Sequence, residues 1–144
     1  MKILFLNKIK SVPKYIWILS VIVLFGIFLR AYNFHAWLDF GSDQVNDATR
    51  AGAVVENKAP WPSYGPDMGN SGKGGRSNRF RLGPIYYDFE IISAKIFGNN
   101  PVSMAYPDLI FSILSIPLFF LFLRIVFATN LSLALTGLYA ISFY

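Results

Sequence analysis

Apolar residues in this chain come in long blocks rather than in alternation with polar ones. The first block covers residues 15–29, the second covers 109–127, and the third runs from 131 to 144. Blocks of this kind are typical of membrane-spanning helices, which need about 20 residues to cross a hydrocarbon core of about 30 Å. The pattern therefore predicts an all-α polytopic membrane protein.

These blocks divide the chain into segments. Residues 1–14 form an N-terminal segment, 15–34 the first transmembrane helix and 108–127 the second. Residues 131–144 would supply only about 21 Å of helix at about 1.5 Å per residue. We interpret them as the truncated start of a third transmembrane helix, and the chain as the N-terminal fragment of a longer protein. The first block is interpreted as an uncleaved signal anchor, because no small-residue cleavage site follows Leu29.

A long loop, residues 35–107, connects the first two predicted spans. Its sequence predicts two short helices, at about 43–57 and about 84–97. Pro84 suits the start of the second helix and Gly98 suits its end. The second segment is too short to cross a bilayer and too apolar to lie free in water, which predicts an interfacial helix along the membrane surface.

Composition and charge agree with a membrane protein and orient it. Of the 144 residues, 54% are hydrophobic and only 15% are charged, and the mean hydropathy is +0.45. The net charge of +5 is uneven: all eight acids lie between Asp39 and Asp108, whereas four lysines precede the first span, namely Lys2, Lys8, Lys10 and Lys14. By the positive-inside rule, the N-terminus is cytoplasmic and the long loop is extracytoplasmic.

Two classes of function are excluded by composition. The chain has no cysteine, so it has no thiolate zinc site and no cysteine nucleophile. Its basic residues form no stripe with interleaved aromatic side chains, so we expect no nucleic-acid partner.

Candidate catalytic residues lie in the segment GSDQVNDATRAG, residues 41–52. A carboxylate that is partly desolvated beside a bilayer has a raised pKa and is a better base. Asp43 is therefore a candidate general base, and the alternative is that it caps the helix, which is compatible with catalysis. Asp47 and Gln44 are candidates to orient an acceptor molecule or a cation.

The middle of the loop, about residues 58–82, is rich in glycine and proline and is predicted to be irregular. Arg76, Arg79 and Arg81 lie there, and guanidinium groups match the oxygens of a phosphate. They are candidates to bind a donor phosphate, and the alternative is a solvated linker.

Metal binding is a weaker possibility. His35 and Asp39 are four residues apart, a spacing that could share a metal ion on a helix. One histidine with carboxylates makes a poor zinc site, so a carboxylate site for Mg²⁺ or Mn²⁺ is the remaining metal hypothesis.

The order of these features resembles the N-terminal part of the GT-C membrane glycosyltransferases. A cytoplasmic N-terminus and one span lead to GSDQVNDATRAG, then to LGPIYYDFEIISAKIFGNNP and to further spans. The resemblance is to the protein O-mannosyltransferases and the bacterial aminoarabinose transferases. In that family an Asp-Glu pair opens the first loop helix; here Asp43 and Gln44 occupy that place. Gly83 stands where relatives carry a histidine or lysine, so Arg81 would supply that charge.

The resemblance implies transfer of a sugar, with inversion, from a polyprenyl-phosphate carrier to an acceptor hydroxyl on the extracytoplasmic face. It implies Asp43 as the base, with lipid-linked sugar, membrane lipids and an acceptor glycan, lipid or protein as partners. We expect a bacterial or archaeal cell membrane, and we expect the fragment alone to be inactive. The alternative is a small membrane accessory or scaffold subunit without catalytic activity.

Overall fold

The computed structural model describes residues 13–38, 41–65 and 83–142, apart from the side chains of Trp37, Ser42 and Asp43. Within these ranges the chain forms helices and no strand, which confirms the all-α prediction for the described part. The helices are α1 (Lys14–Ala31), α2 (Phe34–Trp37), α3 (Ser42–Val55), α4 (Ile85–Phe97), α5 (Pro101–Val126) and α6 (Thr129–Ile141).

Helices α1 and α5 are long and apolar enough to cross a membrane, with 18 and 26 residues. Only 11% of the α1 stretch and 17% of the most apolar α5 stretch is buried within the protein. A core helix of a soluble protein would be mostly buried, so this exposed apolar surface favours contact with lipid. These helices overlap the two predicted spans, and α6 is a shorter apolar helix in the third block.

Helix α5 begins well before the predicted start at residue 108, because its N-terminus is capped. The Asn100 Oδ1 accepts a hydrogen bond from the Ser103 backbone N–H at 2.9 Å. Pro101 occupies the first helical position, where its missing N–H is not needed. The helix then continues through Pro107 and Pro117 to Val126.

The chain divides into two compact units, which are described separately. The first contains residues 1–34 and 109–144, and the second contains residues 35–108. In the first unit α1 packs against α6. Gly26 allows a close approach there, because a Cβ at this position would clash with the Ile116 side chain and would lie 3.4 Å from the Ala140 Cβ.

Arg30, in the last turn of α1, is buried in the first unit and only 3% exposed. Its Nε donates to the Ser112 Oγ at 2.8 Å, and its Nη1 donates to the Ala140 carbonyl at 2.9 Å. The guanidinium carbon lies 5.7 Å from the centroid of the Tyr139 ring. One side chain of α1 thus bonds to both α5 and α6, and it contacts a carbonyl at the negative end of the α6 dipole.

Replacing Arg30 by methionine is expected to destabilise the first unit by about 1–3 kcal/mol, because Ser112 and Ala140 each lose a donor. The check is the thermal unfolding midpoint in detergent. Arg124→Met is the matched control: Arg124 is exposed and bonds only locally, to the Phe127 carbonyl at 2.9 Å, so its loss should have little effect. Equal midpoints for both variants would contradict this role of Arg30.

In the second unit α3 packs against α4. Ala51 and Val54 of α3 are buried in this contact. The buried core consists of Ala51, Val54, Tyr87, Ile91, Ala94 and Met104.

A proline explains how α4 is fixed against the start of α5. Pro107 has no N–H, so the carbonyl of Ser103, four residues earlier, lacks its helical donor. The hydroxyl of Ser93 on α4 donates to this carbonyl instead, at 2.5 Å. Ser93 is one helical turn from Glu90, so this bond fixes the part of α4 that carries the candidate site.

The two loop helices have bounds close to those predicted. Helix α3 starts at Ser42, and Gly41 is its N-cap, so the helix begins one residue before the predicted start. Helix α4 ends at Phe97 with Gly98 as its C-cap, as predicted, and the φ angle of Gly98 is +103°, a conformation that favours glycine.

Candidate functional site

The structure describes some of the predicted site residues and not others. Gln44 and Asp47 lie on α3 in the second unit, and Asp43 is the second residue of that helix, although its side chain is not described. The predicted phosphate-binding residues lie outside the described residues and stay a prediction; they are Arg76, Arg79 and Arg81.

A cavity of about 140 Å³ lies in the second unit, next to the first turn of α3. Of the predicted site residues, Gln44 lines this cavity. The polar side chains around it are those of Gln44, Tyr86, Glu90 and Asp108, and the apolar ones are Leu38, Met104 and Ala105. Helices α3, α4 and α5 thus bring two carboxyl groups, a phenol and an amide to one small space.

Glu90 is the most buried acid of this cavity, with 4% of its surface exposed. Its Oε2 has no hydrogen-bond partner among the described residues. Burial is the main cause that raises the pKa of Glu90 from 4.5 to about 7, and the negative charges of Asp47 and Asp108 raise it further. A carboxyl group with this pKa changes its charge near neutral pH.

Tyr86 lies between the two carboxyl groups of the cavity. Its hydroxyl donates to the Asp108 Oδ2 at 3.1 Å, and Glu90 lies near enough to raise its pKa. Burial raises the pKa of Tyr86 above its usual value, and the nearby carboxylates raise it further. The phenol therefore stays protonated at neutral pH, and its single proton cannot satisfy both carboxyl groups at once.

Asp47 is held at the edge of this region by the neighbouring tyrosine. The Tyr87 hydroxyl donates to the Asp47 Oδ1 at 2.6 Å, and Tyr87 is buried. The guanidinium carbon of Arg50 lies 5.4 Å from the Tyr87 ring centroid. The negative charge of Asp47 is near enough to Glu90 to raise the pKa of Glu90.

The described residues contain no group of three or more histidine, cysteine or acidic side chains that could hold a metal ion. His35 packs edge-on against the Tyr106 ring, with 6.4 Å between ring centroids. Asp39, its predicted partner in metal binding, lies outside the described residues. The Mg²⁺ or Mn²⁺ hypothesis, which involves Asp39, therefore stays a prediction.

Sequence reasoning missed Glu90, Asp108 and Tyr86. One signal was present for Glu90: it lies three residues after Tyr87 and one before Ile91, so it falls on the apolar face of α4. An acid on the face that a helix buries indicates either a partner or a function.

No protein-family model, no curated protein and no solved structure matches this chain. The resemblance to the GT-C glycosyltransferases therefore stays a prediction.

Proposed function

We propose that the chain belongs to an integral membrane glycosyltransferase that moves a sugar from a polyprenyl-phosphate carrier to an acceptor hydroxyl on the extracytoplasmic face. The observation that supports this most is the cavity beside the first turn of α3. It combines a buried carboxyl group, Glu90, with the helix that carries Asp43.

The chemistry of the transfer needs such a region. An acceptor hydroxyl loses its proton only to a base that is present in the transition state, and a positioned carboxylate can take it. In the proposed mechanism Asp43 takes this proton, and the cavity next to the first turn of α3 holds part of the acceptor. The leaving phosphate gains negative charge as the glycosidic bond breaks, and Arg81, with Arg79 and Arg76, would stabilise it.

The exposed face of α4 supports a position at the membrane surface. Ile85, Phe89, Ile92 and Ile96 follow each other at helical spacing and are 65%, 39%, 48% and 67% exposed. Their opposite face packs on α3, so α4 is apolar on both sides. An outer apolar face suits an interfacial helix that lies against lipid. In this proposal the protein lies in a bacterial or archaeal cell membrane.

Cysteine labelling tests the proposed orientation cleanly, because the chain has no cysteine of its own. Ser63→Cys, at an exposed loop position, should react with an impermeant maleimide in intact cells. Ser11→Cys, in the lysine-rich N-terminal segment, should react only after the membrane is permeabilised. The reverse pattern would overturn the orientation.

A direct assay tests the proposed activity. Membranes from cells that express the complete reading frame are incubated with radiolabelled polyprenyl-phosphate sugar, and label is followed into lipid, glycan and protein fractions. Transfer above that of membranes lacking the gene is the expected result. No transfer with any donor tried, from a protein that is present and folded, would argue for the second candidate.

The second candidate is an accessory or scaffold subunit. A wider groove of about 580 Å³ favours it, between α3 and the start of α5 in the second unit. Small and apolar residues line much of this groove, including Ala48, Gly52, Ala53, Pro101 and Met104. Such a surface suits the side chains of a partner protein.

A further inference from the structure

Two carboxyl groups line the small cavity beside the first turn of α3. Glu90 and Asp108 line it, and the charge of Asp47 acts on Glu90 from α3. Among the described residues that line the cavity there is no lysine and no arginine. The charge of Glu90 is buried, whereas Asp108 is exposed, and buried negative charge is unfavourable unless a cation or several donors compensate it.

Glu90 adds an independent observation that points to a ligand. Only 4% of Glu90 is exposed, and among the described residues no group donates a hydrogen bond to its Oε2. Buried carboxylate oxygens are normally hydrogen bonded, so an unpaired one at the wall of a cavity indicates that a donor binds there.

The lining distinguishes between kinds of cation. A hard metal ion prefers about six oxygen ligands, whereas part of this wall is hydrocarbon and thioether, from Leu38, Ala105 and Met104. A primary ammonium group donates three hydrogen bonds and carries methylene groups that suit an apolar wall. The volume of about 140 Å³ exceeds that of a single water, about 30 Å³, and is adequate for such a group.

We propose that this cavity binds a primary ammonium group, with Glu90 and Asp108 as its carboxylate partners. Ethanolamine phospholipids and free amines both present this chemistry. Asp108 directly precedes the uncharged stretch 109–123 of α5, a candidate span, so lipid headgroups are a nearby source. That the amine belongs to the acceptor of sugar transfer rests on the proposed function, whereas the binding itself does not.

The test uses the purified chain in nanodiscs and needs no sugar donor. Thermal unfolding is compared between phosphatidylethanolamine and phosphatidylcholine nanodiscs, at pH 8, where Glu90 is mostly charged. Both headgroups are zwitterionic, but the quaternary ammonium of choline has no N–H to donate. A higher midpoint in phosphatidylethanolamine is the expected result, and equal midpoints in both lipids would overturn a lipid source.

A second arm measures free ethanolamine in phosphatidylcholine nanodiscs by calorimetry, with choline as the control. Binding of ethanolamine but not choline supports the ammonium site for a soluble amine as well. If neither lipid nor free ethanolamine is preferred over its choline counterpart, or if Mg²⁺ alone stabilises the protein, the proposal is wrong.

Substitutions in the cavity test whether a preference for ethanolamine over choline arises there. Glu90→Gln should weaken ethanolamine recognition at least about tenfold, because it removes the buried charged partner of the cation. Asp108→Asn, at an exposed carboxylate, should weaken it less. Glu56→Gln, at an exposed acid paired with Lys58, should leave it unchanged. A preference that survives Glu90→Gln would contradict the assignment. Binding that is intact in a protein without transfer activity would reject the proposed function and retain this inference.

Discussion

Replacing Asp43 by asparagine is expected to reduce sugar transfer by about 10²–10⁴-fold, the usual contribution of a positioned general base. Asparagine keeps the size of the side chain and its position in the first turn of α3 but cannot accept the acceptor's proton. Donor binding and expression should remain, because the proposed mechanism gives the phosphate contacts to the loop arginines and not to Asp43. The measurement is the initial rate of label transfer in membranes from cells that express the complete reading frame, with and without the substitution, at equal amounts of protein.

The matched control is Asp88→Asn. Asp88 lies on α4 in the same unit, but it accepts a hydrogen bond from the Trp61 indole at 2.5 Å and does not line the cavity. Its replacement should change the rate less than about threefold. If Asp43→Asn transfers at the normal rate while Glu90→Gln does not, the base is Glu90.

The helices of this protein could be predicted because their signals are local. An apolar block such as 109–127 predicts a membrane-spanning helix without reference to the rest of the chain. Gly98 ends α4 because its own backbone conformation favours glycine. The start of α5 was also readable in principle: Asn100 followed by Pro101 is a cap and first-turn pair. The start predicted from hydrophobicity, residue 108, is too late because hydrophobicity does not detect capping residues.

The candidate site could be predicted only in part, since it depends on tertiary contacts. The acids on α3 are close in sequence and could be grouped by spacing alone. Glu90 and Asp108 come from different helices, and the bond from Ser93 to the Ser103 carbonyl brings those helices together. Nothing local in the sequence links an acid on α4 to one on α5, so only the packing defines their cavity.

Replacing Glu90 by glutamine is expected to stabilise the second unit above pH 7 by up to about 3 kcal/mol. The pKa of Glu90 rises from 4.5 to about 7 on folding, and each pKa unit corresponds to about 1.4 kcal/mol. Glutamine has nearly the same shape and carries no charge, so it does not incur the cost of burying a carboxylate near Asp47 and Asp108.

The direction with pH follows from proton binding. Below pH 4.5 Glu90 is protonated in both the folded and the unfolded chain, so its charge has no effect on stability. Between pH 4.5 and about 7 the unfolded chain loses this proton first, and the free energy of unfolding falls as the pH rises. Above about pH 7 the carboxyl group is charged in both states, and the full cost remains. The gain from Glu90→Gln should therefore be absent near pH 4 and largest near pH 8.

Unfolding midpoints of wild type and variant from pH 4 to pH 8 provide the measurement, in nanodiscs of phosphatidylcholine so that no ammonium donor is present. Glu56→Gln is the control, because the pKa of Glu56 is shifted in the opposite direction: a hydrogen bond from Lys58 lowers it. Removing the Glu56 carboxylate should therefore not stabilise the protein at any of these pH values. A gain for Glu90→Gln that is the same at pH 4 and pH 8 would reject the charge as its cause. A gain confined to neutral and alkaline pH would mean that the native chain retains a destabilising buried carboxylate, as a binding or catalytic residue does when function opposes stability.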